Sequence, residues 1–245
     1  MNLTPPTTIA LILAAGGASL VAITGQGTKL SAAAGFAVAV LAILGLGPGA
    51  LFPLAVFVLG GGAITRVGHA AKADAGAAEA NRGRRGVAHV VAKLGIPAAL
   101  GVAGLLMGRT PTLCLGYASA LAGALADTSG TEIGPLGRGA AFRVEGLRIV
   151  RVPHGTPGGI SGAGLLAALL GAAVVAGAAI FTGLVSGTWA LGVSAAAGFG
   201  AALVESVAAS TPVGKALGHF GRNVMVSALA TAVGLAAGAA RWGAV

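Results

Sequence analysis

The stretch ALADTSGTEIG, residues 124–134, closes a long apolar run with two carboxylates, Asp127 and Glu132, in a chain with only six acidic residues among 245. Whether it is the turn of a soluble domain or the end of a membrane helix decides the fold. The surrounding sequence answers. The chain is 56% hydrophobic and 9% charged, with 44 glycines and a mean hydropathy of +0.93, too apolar and too poor in charge for a soluble domain. Apolar segments at about 7–24, 31–46, 49–64, 94–108, 112–126, 163–181, 187–204 and 224–240 reach or approach the roughly 20 residues a helix needs to cross a hydrocarbon core. We read an all-α, polytopic membrane helical bundle, one integral membrane domain over 1–245 with about eight transmembrane helices (six to nine). The short segments 94–108 and 112–126 tilt little, extend into their flanks or form a re-entrant pair.

No Lys or Arg precedes Lys29, so the positive region that opens a cleaved signal peptide is missing and residues 7–24 read as a span. The single cysteine, Cys114, lies in an apolar run, which excludes an intramolecular disulfide and suits a small buried hydrophobe. Abundant Gly and Ala fit helices that pack by close backbone approach, since lipid supplies no hydrophobic drive between them. Gly104-x-x-x-Gly108 and Gly234-x-x-x-Gly238 carry that pattern, within one chain or across a homodimer.

Charge placement organises the rest. All six acids lie in three connecting regions, about 65–93, 127–162 and 205–223, together with twelve of the fifteen basic residues. With eight spans these regions and the Lys29 loop share one side, the cytoplasmic one by the positive-inside rule, and the protein is a multi-pass protein of the cell membrane. Positive loops touching anionic headgroups account for isolated arginines such as Arg138, Arg143, Arg148 and Arg151. They do not account for the acids, whose interleaving with Gly, Thr and Ser points to phosphate and a divalent metal.

Asp127 and Glu132 are five residues apart, about 140° around a straight helix. A break at Gly130 would bring both onto one cation, and a helix-end role for Asp127 or Thr128 is the competing reading. VPHGTPGGISGAG, 152–164, leads into a span with glycines at 155, 158, 159, 162 and 164 and with Thr156 and Ser161 between them. Such a loop presents backbone N–H groups to an anion, or is simply a flexible turn. The first loop carries Arg66, Lys72, Arg82, Arg84 and Arg85 beside Asp74 and Glu79, suited to phosphate or to a lipid surface. The third carries Glu205, Ser206, Lys215 and Asn223. The histidines at 69, 89, 154 and 219 lack zinc spacing, and no nucleic-acid partner is expected.

Taken together, Ile64-Thr65-Arg66, Arg84-Arg85-Gly86, Ala126-Asp127-Thr128 with Glu132-Ile133-Gly134, Gly155-Thr156 with Gly158-Gly159 and Ser161, and Glu205-Ser206 resemble the DUF92 type of membrane protein, which includes transmembrane protein 19 and the phytyl-phosphate kinases of plants and cyanobacteria. The resemblance covers most of the chain after about residue 55. The chain departs from that pattern at Glu205, where Asp is usual, and at His89, Lys93 and Ser227, near which Gln, Asn and a second Asn are usual. The resemblance implies phosphoryl transfer from a nucleoside triphosphate, CTP or another, to an isoprenoid monophosphate, giving the diphosphate. Positioning and charge neutralisation carry such chemistry, because the attacking phosphate oxygen is already ionised. On this reading Asp127 and Glu132, with Asp74 or Glu205, hold Mg²⁺, while Arg66, Lys72, Arg84 and Arg85 neutralise phosphates. Thr65, Thr128, Gly155, Thr156, Gly158, Gly159, Ser161, Ser206 and Asn223 complete the phosphate site. The prenyl tail lies between helices or on their lipid-facing side. An anion transporter, a prenol kinase and a CTP-dependent lipid transferase are the rival functions; the first calls for ionisable groups at membrane depth.

Overall fold

The structure is a computed structural model that describes residues 3–68, 86–146 and 148–243. Lys72, Asp74, Arg84 and Arg85 of the expected site lie outside the described residues. The helices are α1 (Pro5–Ile23), α2 (Lys29–Leu46), α3 (Pro48–Arg66), α4 (Val87–Met107), α5 (Pro111–Ile133), α6 (Gly162–Phe181), α7 (Gly187–Ala209) and α8 (Pro212–Trp242). Their starts follow from sequence. Thr28, Thr110, Ser161 and Thr211 each accept a backbone N–H of the first turn of α2, α5, α6 and α8, satisfying a donor that the helix leaves orphaned. Proline opens α1, α3, α5 and α8, where its missing N–H costs nothing.

Seven helices, all but α5, are long and apolar enough to cross a membrane. The 23-residue α5 is about 35 Å long but less apolar. The reason is its place: every residue from Thr112 to Ala126 is buried, because α4, α6, α7 and α8 surround it. A helix that meets protein on all sides does not need a lipid-facing stripe.

Two groups of contacts sort the helix ends. At one, Arg66 donates to the Thr24 carbonyl (2.6 Å) and the Ser210 hydroxyl to the Val144 carbonyl (2.7 Å). At the other, Tyr117 donates to Ala50 (3.1 Å), Thr182 to Gly49 (2.8 Å), and Thr112 to Gly243 (3.1 Å). The connections therefore alternate between ends. The segments expected at 94–108 and 112–126 extend into their flanks as full helices, α4 and α5.

Both small-residue motifs are used inside the chain. A Cβ on Gly104 would lie 2.4 Å from the Gly45 carbonyl oxygen on α2, and one on Gly234 or Gly238 would crowd Ser119 or Thr112 on α5. Helix α3 contains a π-turn at Val56–Gly60. The connection from α5 to α6 is not the plain loop of an all-α protein. It holds a three-stranded antiparallel sheet, β1 (Ala141–Glu145), β2 (Arg148–Val152) and β3 (Ile160–Ser161), in the order β2-β1-β3. Ala141 pairs with both Val152 and Ser161, which ties the glycine-rich segment back onto the α5 end.

Candidate functional site

Charged side chains that the sequence assigned to loops stand on helices. Lys93 lies on α4, is 3% exposed, and donates to Asp127 Oδ2 at 2.6 Å and to the Thr128 hydroxyl at 3.0 Å on α5. Its backbone is held too. Pro97, one turn on within α4, has no N–H for the Lys93 carbonyl, and the Ser227 hydroxyl of α8 donates to that oxygen instead, at 3.3 Å. On α7, Glu205 accepts from Arg222 Nε at 2.8 Å. Arg222 stands on α8 beyond Gly218, where a φ of 62° interrupts the helix, and its other arm donates to the Gly214 carbonyl across that break at 3.1 Å.

α5 runs unbroken through Gly130, which corrects the expected break. Gly130 serves packing: a Cβ there would stand 3.3 Å from the Gly164 carbonyl oxygen of α6. Asp127 and Glu132 thus keep their helical separation, yet both line one cavity of about 350 Å³, with Lys93, Glu205, Arg222 and the 154–161 segment. Asp127, Lys93 and Glu205 sit about 9, 9 and 6 Å from the ends of their helices at 1.5 Å per residue, so the cluster is gathered at one end of the bundle.

The glycine-rich segment forms a further part of the cavity wall and packs against α7 beside Glu205. Gly158 has a φ of +76° and its Cβ would lie 2.8 Å from the Ser206 carbonyl oxygen, so only glycine fits there. Part of the expected anion cradle is already engaged: the Thr156 and Gly159 amides close turns onto Pro153 and Thr156 at 3.3 and 2.8 Å. The Ser161 hydroxyl caps α6 through Gly164 N and donates to the Gly134 carbonyl at 3.0 Å. The amides of Gly155 and Gly158 face no protein acceptor among the described residues. His154 anchors the segment, with Nδ1 3.1 Å from the Gly134 carbonyl and Nε2 2.9 Å from that of Gly139.

The cavity therefore unites Asp127, Thr128, Glu132, Gly155, Thr156, Gly158, Gly159, Ser161, Glu205 and Ser206 of the expected site. Thr65, Arg66 and Asn223 are not among its lining residues. Thr65 is buried and donates to Gly61 within α3, exposed Arg66 tethers the α1–α2 turn, and buried Asn223 places Nδ2 3.0 Å from His219 Nε2. Lys93, Arg222, His89, His154 and His219 are additions. A lone lysine inside VAHVVAKLGIP, residues 87–97, was the available signal for Lys93, since a cation in an apolar helix marks a partner or a site.

Among the described residues no group of three or more His, Cys, Asp or Glu side chains is arranged to hold a metal ion. Asp127 and Glu205 are each bound to a cation of the protein. That donor set fits a Mg²⁺ shared with substrate phosphates, which takes one or two carboxylates, rather than an all-protein cage. The lining sets three carboxylates, Asp127, Glu132 and Glu205, against Lys93 and Arg222.

The family model described as "Integral membrane protein DUF92" matches residues 8–215. A relative from the cyanobacterium Synechocystis, described as an uncharacterized membrane protein, is 34% identical over 141 residues, 56% of this chain and 53% of the relative. The chain thus spans about half the length of that curated relative. No solved structure matches.

Proposed function

The chain belongs to the DUF92 family of integral membrane proteins, and on that footing we propose that it is a membrane kinase. It would transfer the terminal phosphoryl group of a nucleoside triphosphate to an isoprenoid monophosphate, with the cavity end in the cytoplasm, where the basic connections belong by the positive-inside rule. The observation that carries the proposal is the convergence of Asp127, Glu132, Glu205, Lys93 and Arg222 with the glycine-rich segment on one cavity at one end of the bundle.

In the reaction an oxygen of the acceptor monophosphate forms a bond to the terminal phosphorus of the donor. The bond to the bridging oxygen breaks, and the nucleoside diphosphate leaves. Asp127 and Glu205, with Glu132, would hold a Mg²⁺, which would supply charge neutralisation for the triphosphate. The work of the chain is positional. Asp127 and Glu205 provide carboxylates on facing helices, and Lys93 and Arg222 hold them in place while offering positive charge. The free amides of Gly155 and Gly158 supply fixed donors to a phosphate oxygen. The acceptor is already anionic, so no strong base is required.

The test is a mass-spectrometric assay of detergent-purified protein with Mg²⁺, a panel of CTP, ATP, GTP and UTP, and prenyl monophosphates of several lengths. A nucleotide-dependent prenyl diphosphate is the expected product, lost in Asp127→Asn. No product with any pair, from folded protein, overturns the reading. One observation favours transport of an anion as a second reading: the ionisable groups stand on helices rather than in loops. Uptake by liposomes without nucleotide would establish it. The gathering of the cluster at one end, rather than at mid-depth where transporter sites lie, favours the kinase.

A further inference from the structure

A second, larger cavity of about 590 Å³ lies among α1, α2, α3 and α4, and its lining is almost wholly apolar. It runs along α1 from Pro6 to Val21, about 22 Å at 1.5 Å per residue, most of a hydrocarbon core of about 30 Å. The helix that bounds it is loosely held: α1 buries only Ala10 and Ala14. Its opposite wall includes Phe57, Val58 and Leu59 of the π-turn in α3, a helix irregularity found often at functional sites. Two residues, His89 and Lys93, line both this crevice and the polar cavity; they are one turn apart on one face of α4. Gln26, whose Oε1 has no hydrogen-bond partner among the described residues, also lines the crevice.

We infer that the crevice is the acceptor's tail chamber, in which one prenyl chain lies lengthwise along α1 while its phosphate passes between His89 and Lys93 into the polar cavity. The inference deepens the kinase reading and rests on it for the identity of the head group. The argument is continuity: an apolar channel of nearly membrane length ends at a lysine that also faces the phosphate cavity. A molecule that fills both parts must carry a long hydrocarbon tail on a small anionic head. The crevice then also measures the tail. Gly17 and Gly35 line it, and a Cβ on either meets nothing within 4 Å, so larger side chains there would occupy the channel and not collide with the fold.

The test combines two readouts. In the first, wild type, Gly17→Phe and Gly35→Phe are assayed with five-carbon and twenty-carbon prenyl monophosphates, with the melting temperature in detergent confirming that each variant folds. The ratio of twenty-carbon to five-carbon turnover falls by about tenfold or more in both variants if the tail runs through the crevice; an unchanged ratio overturns the inference. In the second, a twenty-carbon prenyl monophosphate with a photoactivatable tail is cross-linked and the adducts are mapped. Adducts on Leu13, Phe36 or Val58, competed by unlabelled prenyl phosphate, support the chamber. Adducts confined to exposed outer residues such as Leu106 and Phe181, or competition by phosphatidylglycerol alone, refute it. Should wild type form no diphosphate from any chain, the kinase reading fails, and the cross-linking map alone decides whether the crevice holds a prenyl phosphate.

Discussion

Gly198 on α7 and Gly17 on α1 are both glycines within membrane helices, yet a Cβ on the first would sit 2.6 Å from the Ala122 carbonyl carbon and one on the second would touch nothing within 4 Å. The difference extends to the regions around them. Around α5, glycines such as Gly123, Gly171, Gly198 and Gly234 bring α6, α7 and α8 close to its backbone, and the charged cluster is fixed at the end of that assembly. Around α1 the helices stand apart and leave the crevice. Small residues thus serve opposite ends in one bundle, rigid placement of charge in one region and room for a guest in the other.

The comparison breaks first at Lys93 and Asp127. Lys93→Met leaves a carboxylate unpaired at a site where the two side chains are 4% and 10% exposed, and a loss of about 3–5 kcal/mol is expected. Adding Asp127→Asn recovers most of it, as melting curves in detergent would show; a double variant as unstable as the single would mean that the pair is not what holds α4 to α5. By the same coupling Asp127→Asn alone also lowers stability, since it leaves Lys93 facing a neutral amide. Next, Gly198→Leu overpacks the α5–α7 contact and costs about 3 kcal/mol, whereas Gly17→Leu leaves the melting temperature nearly unchanged. Ser227→Ala removes the only side-chain donor to the Lys93 carbonyl among the described residues and costs about 1 kcal/mol. Smallest of all, Gly17→Ala and Gly35→Ala stabilise by about 0.4–1 kcal/mol, through reduced freedom of the unfolded chain. Destabilisation by either would show that the α1 region is packed more tightly than its geometry indicates.

The helical membrane architecture was legible because hydropathy and length are local properties: the spans at 163–181 and 187–204 coincide with most of α6 and α7. Helix ends were less legible where polar residues continue a helix inside protein. Asp127, Thr128 and Glu132 ended a span by composition, but α5 carries them because neighbouring helices, not lipid, receive them. The small sheet escaped notice because Phe142, Val144, Ile149 and Val150 are interleaved with arginines in a connection read for charge alone. For the site, the glycine-rich segment and Glu205-Ser206 were found by residue type, and the cavity unites them. The pairing of Lys93 with Asp127 was out of reach, since 34 residues separate them and only the packing of α4 on α5 brings them together. Arg66 could not be placed from its type: it stands outside the cavity lining and donates to the Thr24 carbonyl of the α1–α2 turn, a partner 42 residues away.

The composition of α5 has a consequence for biogenesis. Helix α5 carries Asp127 and Glu132 in its last two turns and is the one long helix among the described residues that is not apolar enough to count as a span by itself, so it gains less than its neighbours from entering lipid alone. Three of the helices that enclose it, α6, α7 and α8, emerge from the ribosome after it. Integration of α5 into the bilayer is therefore expected to be a delayed, cooperative step that completes when its later partners arrive, and a chain halted after Ile133 would leave its central helix without a home.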